Sequence, residues 1–194
     1  TGRLDQLPAY EHVKRAIEVA LAGNHRLTLV SVGAADDIAY LAAWVRAQGG
    51  EVAQIDPCPC GYFGDPERAC TCGPRDIVIW HRRPAWRIAM TADIVIEVPR
   101  PAPDRLLGTR TGERDEAILE RIAEAQKRLP SIAEPVTLDA AGQSLMRAAA
   151  RQLALTAYRV NRMLAVARTI AALSLSDRVG AAHLAESIQY RPRS

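Results

Sequence analysis

Residues 27–38 read Leu27-Thr-Leu-Val-Ser-Val-Gly-Ala-Ala-Asp-Asp-Ile38, and this stretch decides the fold. Leu27 to Val32 is a short run of β-branched and aliphatic residues, the composition of a strand buried on both faces. Gly33 breaks it, and apolar residues at helical spacing follow over 35–47. Asp36 and Asp37 fall in the first helical turn, where carboxylates favour the positive end of the helix dipole. Gly49-Gly50 ends the helix. A buried strand running through a glycine into a helix is the opening of a parallel α/β unit.

The flanking segments extend that unit. Over 8–22, Tyr10, Val13, Ile17 and Leu21 recur at helical spacing, with Gly23 as the stop. Residues 51–55 form a second, short strand and Asp93 to Val98 a third. Pro99, Pro101 and Pro103 then open a linker, taken as 101–111. Beyond it the chain reads as all helix, at about 112–129, 139–153, 155–173 and 180–190. The expected layout is a reduced α/β domain over 1–100, with a parallel three-strand sheet in the order third–first–second, and a helical domain over 112–194. A strand order that leaves 51–55 at an edge leaves its N–H and C=O groups unpaired, so self-association or a protein partner is expected there.

Composition narrows the function without naming it. Of 194 residues, 48% are hydrophobic and 24% charged, which is ordinary for a globular chain. A net charge of +3 permits nucleic-acid contact but does not require it. Lys14 and Lys127 are the only lysines, so arginine carries nearly all positive charge. No apolar run reaches the ~20 residues of a membrane span, and no signal peptide stands out at Thr1-Gly-Arg-Leu-Asp5. The expected location is the cytoplasm, with no membrane partner.

Cys58-Pro-Cys60 and Cys70-Thr-Cys72 hold all four cysteines, as two pairs inside a knuckle at 56–74 rich in glycine and proline. Two nearby thiolate pairs supply the four soft ligands of a tetrahedral zinc site. Disulfides or unrelated core thiols are the alternatives. Within a CxC pair the side chains diverge, and a reducing compartment disfavours disulfides. The expected cofactor is one structural zinc ion. His81, Arg82, Arg83 and Arg87, interleaved with Trp80 and Trp86, could contact nucleic acid through charge and stacking. The plainer reading is a solvated helix with two packed tryptophans. Arg159, Arg162 and Arg168 lie on one helix and could add to a basic surface, although the plainer reading makes Arg159 and Arg162 an exposed face; His25 and His183 read as structural histidines.

The string Asp56-Pro-Cys-Pro-Cys-Gly-Tyr-Phe-Gly-Asp-Pro-Glu-Arg-Ala-Cys-Thr-Cys72 resembles the cysteine segment of the magnesium-chelatase-like AAA+ ATPases, in the competence-type ComM/YifB group. Met163 to Ala171 and His183 to Pro192 look like the last helices of that family, and Glu11 to His25 like its first. The resemblance implies an ATP-driven ring motor, with DNA processing in the competence members, and a lid-like role for the helical part. It also locates the motor's parts, and each departs from the family pattern. The phosphate-loop glycine is Gly33, followed by Asp36. The lysine position holds Asp37 and the magnesium-binding hydroxyl position Ile38. A carboxylate there reverses the sign of the site: unit charges ~4 Å apart repel by about 4 kcal/mol at an effective dielectric near 20. Asp56 stands at a sensor Asn, Thr91 at the arginine finger and Tyr158 at the second-sensor Arg. Two strands of the usual five, including the acidic one, and the family's N-terminal domain look absent. The resemblance therefore implies a zinc-binding, non-catalytic binding or assembly module with ATP and magnesium not expected. An ATP-binding subunit completed by a partner chain, or a zinc-stabilised DNA-binding protein, are the alternatives.

Overall fold

The structure, a computed structural model, describes residues 3–7, 10–106 and 112–192. The α/β part runs α1 (Glu11–Gly23), β1 (Leu27–Val32), α2 (Ala35–Ala47), β2 (Val52–Ile55), α3 (Pro74–His81), α4 (Pro84–Ala89) and β3 (Ile94–Pro99). A single-turn helix α5 (Pro103–Leu106) precedes α6 (Asp115–Arg128), α7 (Ala140–Gln152), α8 (Ala157–Leu173) and α9 (Ala181–Gln189). The strands form one parallel sheet in the order β2-β1-β3, the expected order read from its other edge. Every residue of β1 is buried, as its run of apolar residues requires of the central strand.

The two faces of this sheet are covered unequally. Leu27, Leu29, Ile94 and Val98 point to the side of α1 and α2 and join the main core there. The same core continues without a break into α6, α8 and α9 through Ile118, Ile122, Val166, Ile170 and Leu184. On the opposite face the apolar cluster is small, Val30, Ala92 and Val95, with Ile55, Trp86 and Met90 packed on it. Short α4 covers that face, held by the Thr28 hydroxyl donating to the Ala89 carbonyl at 2.7 Å.

Several local expectations change. α1 ends on Asn24 in the left-handed region, φ 51°, whose N–H caps Ala20 and Leu21. Gly23 serves a different need: a side chain there would overlap His25 and Thr169, which meet against it. Pro74, Pro84 and Pro103 each begin a helix, the one place in a helix where a missing N–H costs nothing. The linker expected at 101–111 thus starts with a helical turn, and its remainder, 107–111, lies outside the described residues.

The arginines of α8 tie the helical part to the sheet. Arg162 Nε donates to Asp93 Oδ1 at 2.6 Å, and its Nη2 reaches Asp93 Oδ2. Arg159 donates to the carbonyls of Met90 and Ala92. Arg168 bonds the carbonyls of Leu129 and Ile132 and pairs with Glu134. The expected exposed arginine face is therefore a set of cross-links between elements. Burial holds His25 well below its usual range, at about 4, with Thr169 Oγ1 2.8 Å from its Nε2. His183 Nδ1 accepts from the Gly180 N–H at the start of α9. Both histidines are structural.

Candidate metal centre and the loop over Gly33

The cysteine segment leaves the end of β2 and is folded back by tight turns. Gly61, φ 81°, and Gly64, φ 90°, take backbone angles that other residues avoid. Cys58 Sγ lies 3.4 Å from Cys60 Sγ and 3.7 Å from Cys70 Sγ, and Cys60 and Cys70 are 3.5 Å apart. All four Sγ atoms fall within 4.8 Å of one another, and no disulfide joins them. A tetrahedral ion with metal–sulfur bonds of about 2.3 Å sets its sulfurs about 3.8 Å apart. The donor set fits such an ion. Four protein sulfurs would close its coordination shell and leave no position for water or substrate, which is the form of a structural site.

The thiols are unequal. N–H groups of Tyr62 and Thr71 point at Cys60 and hold its thiol down to about 5. Cys72 is pushed up to about 12, by burial and then by its bond to Cys60. A cation would take the place of the shared protons, since metal binding displaces thiol protons at neutral pH.

α3 clamps this segment to the sheet. Trp80 Nε1 donates to the Asp56 carbonyl at 2.8 Å and His81 Nε2 lies 2.9 Å from the Pro57 carbonyl. The His81 ring stacks on Trp86 of α4, centroids 4.1 Å apart. His81 therefore faces inward, while Arg82, Arg83 and Arg87 are exposed, Arg83 over the Trp80 ring at 4.5 Å. The two tryptophans are half-buried, as a packed pair would be.

The other half of the same segment closes over the β1–α2 turn. Gly33, φ 71°, donates its N–H to the Gly61 carbonyl at 3.1 Å. The Asp65 carboxylate sits directly against Gly33, where a side chain on the glycine would overlap it. Asp65 Oδ1 accepts from the N–H groups of Glu67 and Arg68, at 2.8 and 2.9 Å. Its Oδ2 faces Arg100 Nη2 at 3.3 Å, and the Arg100 N–H bonds the Val32 carbonyl. Burial pushes this carboxyl up, but the two N–H donors and Arg100 outweigh it and hold it below the usual carboxylate range. A negative charge of the chain's own thus lies over the turn. Asp65 and Arg100 escaped sequence reasoning, although Asp65-Pro66 carries the signal of a turn whose side chain accepts from the following N–H groups.

Of the remaining positions, those in the first turn of α2 and past β2 stay at this end of the sheet, and Thr91 and Tyr158 do not. Asp37 accepts from the Tyr10 hydroxyl at 2.5 Å, and Tyr10 is raised far above its usual range by burial and by that bond. Ile38 is buried at 2% exposure and belongs to the core, while Asp36 is exposed. Asp56 lies past the end of β2, its carboxyl raised by burial. Thr91 takes Arg26 Nη2 on its carbonyl at 2.9 Å, which puts it at the start of β1, the opposite end of the strand from Gly33. Tyr158, 55% exposed, is one residue before Arg159, which bonds Met90 and Ala92 at that same end.

The family model for magnesium chelatase, subunit ChlI, matches residues 42–106, and that for the C-terminal part of the same subunit matches 108–191. The first match takes in the cysteine segment, α3, α4 and β3. The turn at Gly33 precedes it. A protein described as uncharacterized protein YifB, from Escherichia coli, is 27% identical over 154 residues, 72% of this chain. Its Salmonella typhimurium counterpart is 24% identical over the same length. The chain spans about 30% of the length of these curated relatives. Two consecutive family models in register with the fold, together with these relatives, place the chain in the magnesium-chelatase-like AAA+ family.

Proposed function

We propose that this chain is a zinc-stabilised binding or assembly module of its family that works without hydrolysing ATP, and that it belongs to the reducing cytoplasm. The observation that carries the reading is the closed turn at Gly33. A phosphate loop needs free backbone donors and a cation converging on anionic oxygens. Here the Gly33 N–H is taken by Gly61, the Asp65 carboxylate lies against the glycine, and Asp37 stands where a lysine would be needed. A nucleotide phosphate would have to displace one anion and sit beside another. The zinc assignment rests on four thiol donors at tetrahedral spacing and a closed coordination shell.

Calorimetry with ATP and magnesium, together with phosphate release, tests the first part. Binding weaker than millimolar and no turnover are expected. Micromolar binding overturns the reading in favour of an ATP-binding subunit completed by a partner chain. Elemental analysis of untagged protein tests the second, with one zinc per chain expected. The exposed Arg82, Arg83 and Arg87 favour one further reading, a nucleic-acid contact linked to DNA processing. It predicts DNA binding that weakens steeply with salt.

A further inference from the structure

The two outer edges of the sheet are treated differently. Val95 of β3 donates its N–H to the Tyr190 carbonyl at 2.8 Å, so the C-terminal segment closes that side. β2 pairs with β1 alone among the described residues. Leu27 N–H donates to the Glu51 carbonyl at 3.0 Å. By the alternation of a parallel ladder, Glu51, Ala53 and Ile55 turn their backbone groups to β1, and Val52 and Gln54 turn theirs outward. Arg46 Nη2 reaches the Val52 carbonyl at 3.3 Å, which still leaves that oxygen a second lone pair.

A groove of about 630 Å³ runs beside this edge on the thinly covered face. Its walls include Ala53, Ile55, Trp80, Trp86, Ile88 and Ala89, and Ile88 is 68% exposed. Charges line both ends. Arg26 and Glu51 stand where the strands begin, and Arg83 and Asp56 where β2 ends.

We propose that a second copy of this chain pairs here, with β2 antiparallel to its counterpart about a two-fold axis through Ala53, so that two three-stranded sheets become one continuous sheet. The outward residues Val52 and Gln54 flank Ala53 symmetrically. Val52 of one copy therefore meets Gln54 of the other, and each pair exchanges both N–H···O bonds. The two-fold axis reverses the strand, which carries Glu51 to the end of the groove that holds the partner's Arg83, and the converse. Each end of the groove has one cation and one anion, so the patch complements itself rather than an occupant of one sign. The two copies of α4 come together across the axis, and Ile88 leaves water. A contact in which one patch serves both partners is the closed, isologous kind. The inference rests on the reading above only in taking the chain as an assembly module, and the nucleotide titration does not bear on it.

Sedimentation or light scattering of the 194-residue chain across a wide concentration range, with hydrogen exchange read at single amides, tests the proposal. The expected result is a mass that rises from monomer to dimer, with slowed exchange at Val52 and Gln54. Ile88→Asp, at an exposed site that leaves the core intact, weakens association about tenfold or more. Glu51→Arg and Arg83→Glu each weaken it, and the two together restore it. A monomer at every concentration overturns the proposal. So does a dimer in which the Gln54 amide exchanges freely, or one that Ile88→Asp leaves unchanged.

Discussion

Asp93→Asn should be among the most damaging conservative changes in this chain. The Asp93 side chain is 1% exposed and serves three elements. Its Oδ1 accepts from Arg162 Nε at 2.6 Å, and its Oδ2 accepts from Arg162 Nη2 and from the Arg26 N–H, the latter at 3.0 Å. Burial raises its pKa, but the Arg162 bond, the Arg26 N–H and the Arg162 charge lower it further, so the group is ionised. An amide of the same shape offers one oxygen where two are used and turns an NH2 toward donors. Breaking a fully buried pair costs about 3–5 kcal/mol. Arg162 is 36% exposed and can recover water, which brings the expected loss to about 2–3 kcal/mol. For a chain of this size that lowers Tm by about 5–10 °C. Urea unfolding of Asp93→Asn, Arg162→Ala and the double variant is the assay. The two single losses should not add, because both remove one contact. A loss under about 1 kcal/mol, or simple additivity, would refute the assignment of Asp93 as the tie between sheet and α8.

Three further outcomes follow from the same contacts. Cys60→Ser should abolish stoichiometric zinc and melt the segment between the cysteine pairs, because that loop has little apolar core of its own; full zinc occupancy in this variant would exclude Cys60 as a ligand. His25, buried and held at about 4, binds its proton more readily in the unfolded chain, whose value is near 6.5. Stability should therefore fall as pH drops from about 6.5 toward 4, by up to about 3 kcal/mol, and a His25→Gln variant should lose most of that slope in urea midpoints measured across the range. Gly33→Ala should destabilise by about 1–3 kcal/mol, since φ is 71° and the new methyl meets Asp65; an unchanged midpoint would mean that the carboxylate does not sit over the turn.

The sheet and the long helices were legible because their signals are local. The run from Leu27 to Val32 reads as a buried strand, and the glycines at 33 and at 49–50 bracket α2 at its observed bounds, Ala35–Ala47. The cysteine pairs announce a metal site by residue type and spacing alone. Pro74, counted within the turn-rich knuckle, misled for a physical reason: it begins α3. Proline suits a tight turn and the first residue of a helix equally, and only the packing of Trp80, His81 and Trp86 separates the two. Arg159 and Arg162 were illegible because their partners, Asp93 and the carbonyls of Met90 and Ala92, lie more than sixty residues away in sequence. Asp65 is a contact across a loop, and no periodicity encodes that.

The bond from Val95 to the Tyr190 carbonyl bears on how the chain is made. A ribosome releases β1, β2 and β3 long before Tyr190 leaves the exit tunnel. Until then the Val95 N–H lacks its partner on that side, and the core that the sheet shares with α8 and α9 is incomplete. The nascent α/β half therefore cannot lock in place as it emerges. Its final state waits until Tyr190 has emerged, so strand and closing segment join only once both are free of the tunnel. Over that interval a holding chaperone, or a second nascent chain, has access to the unfinished sheet.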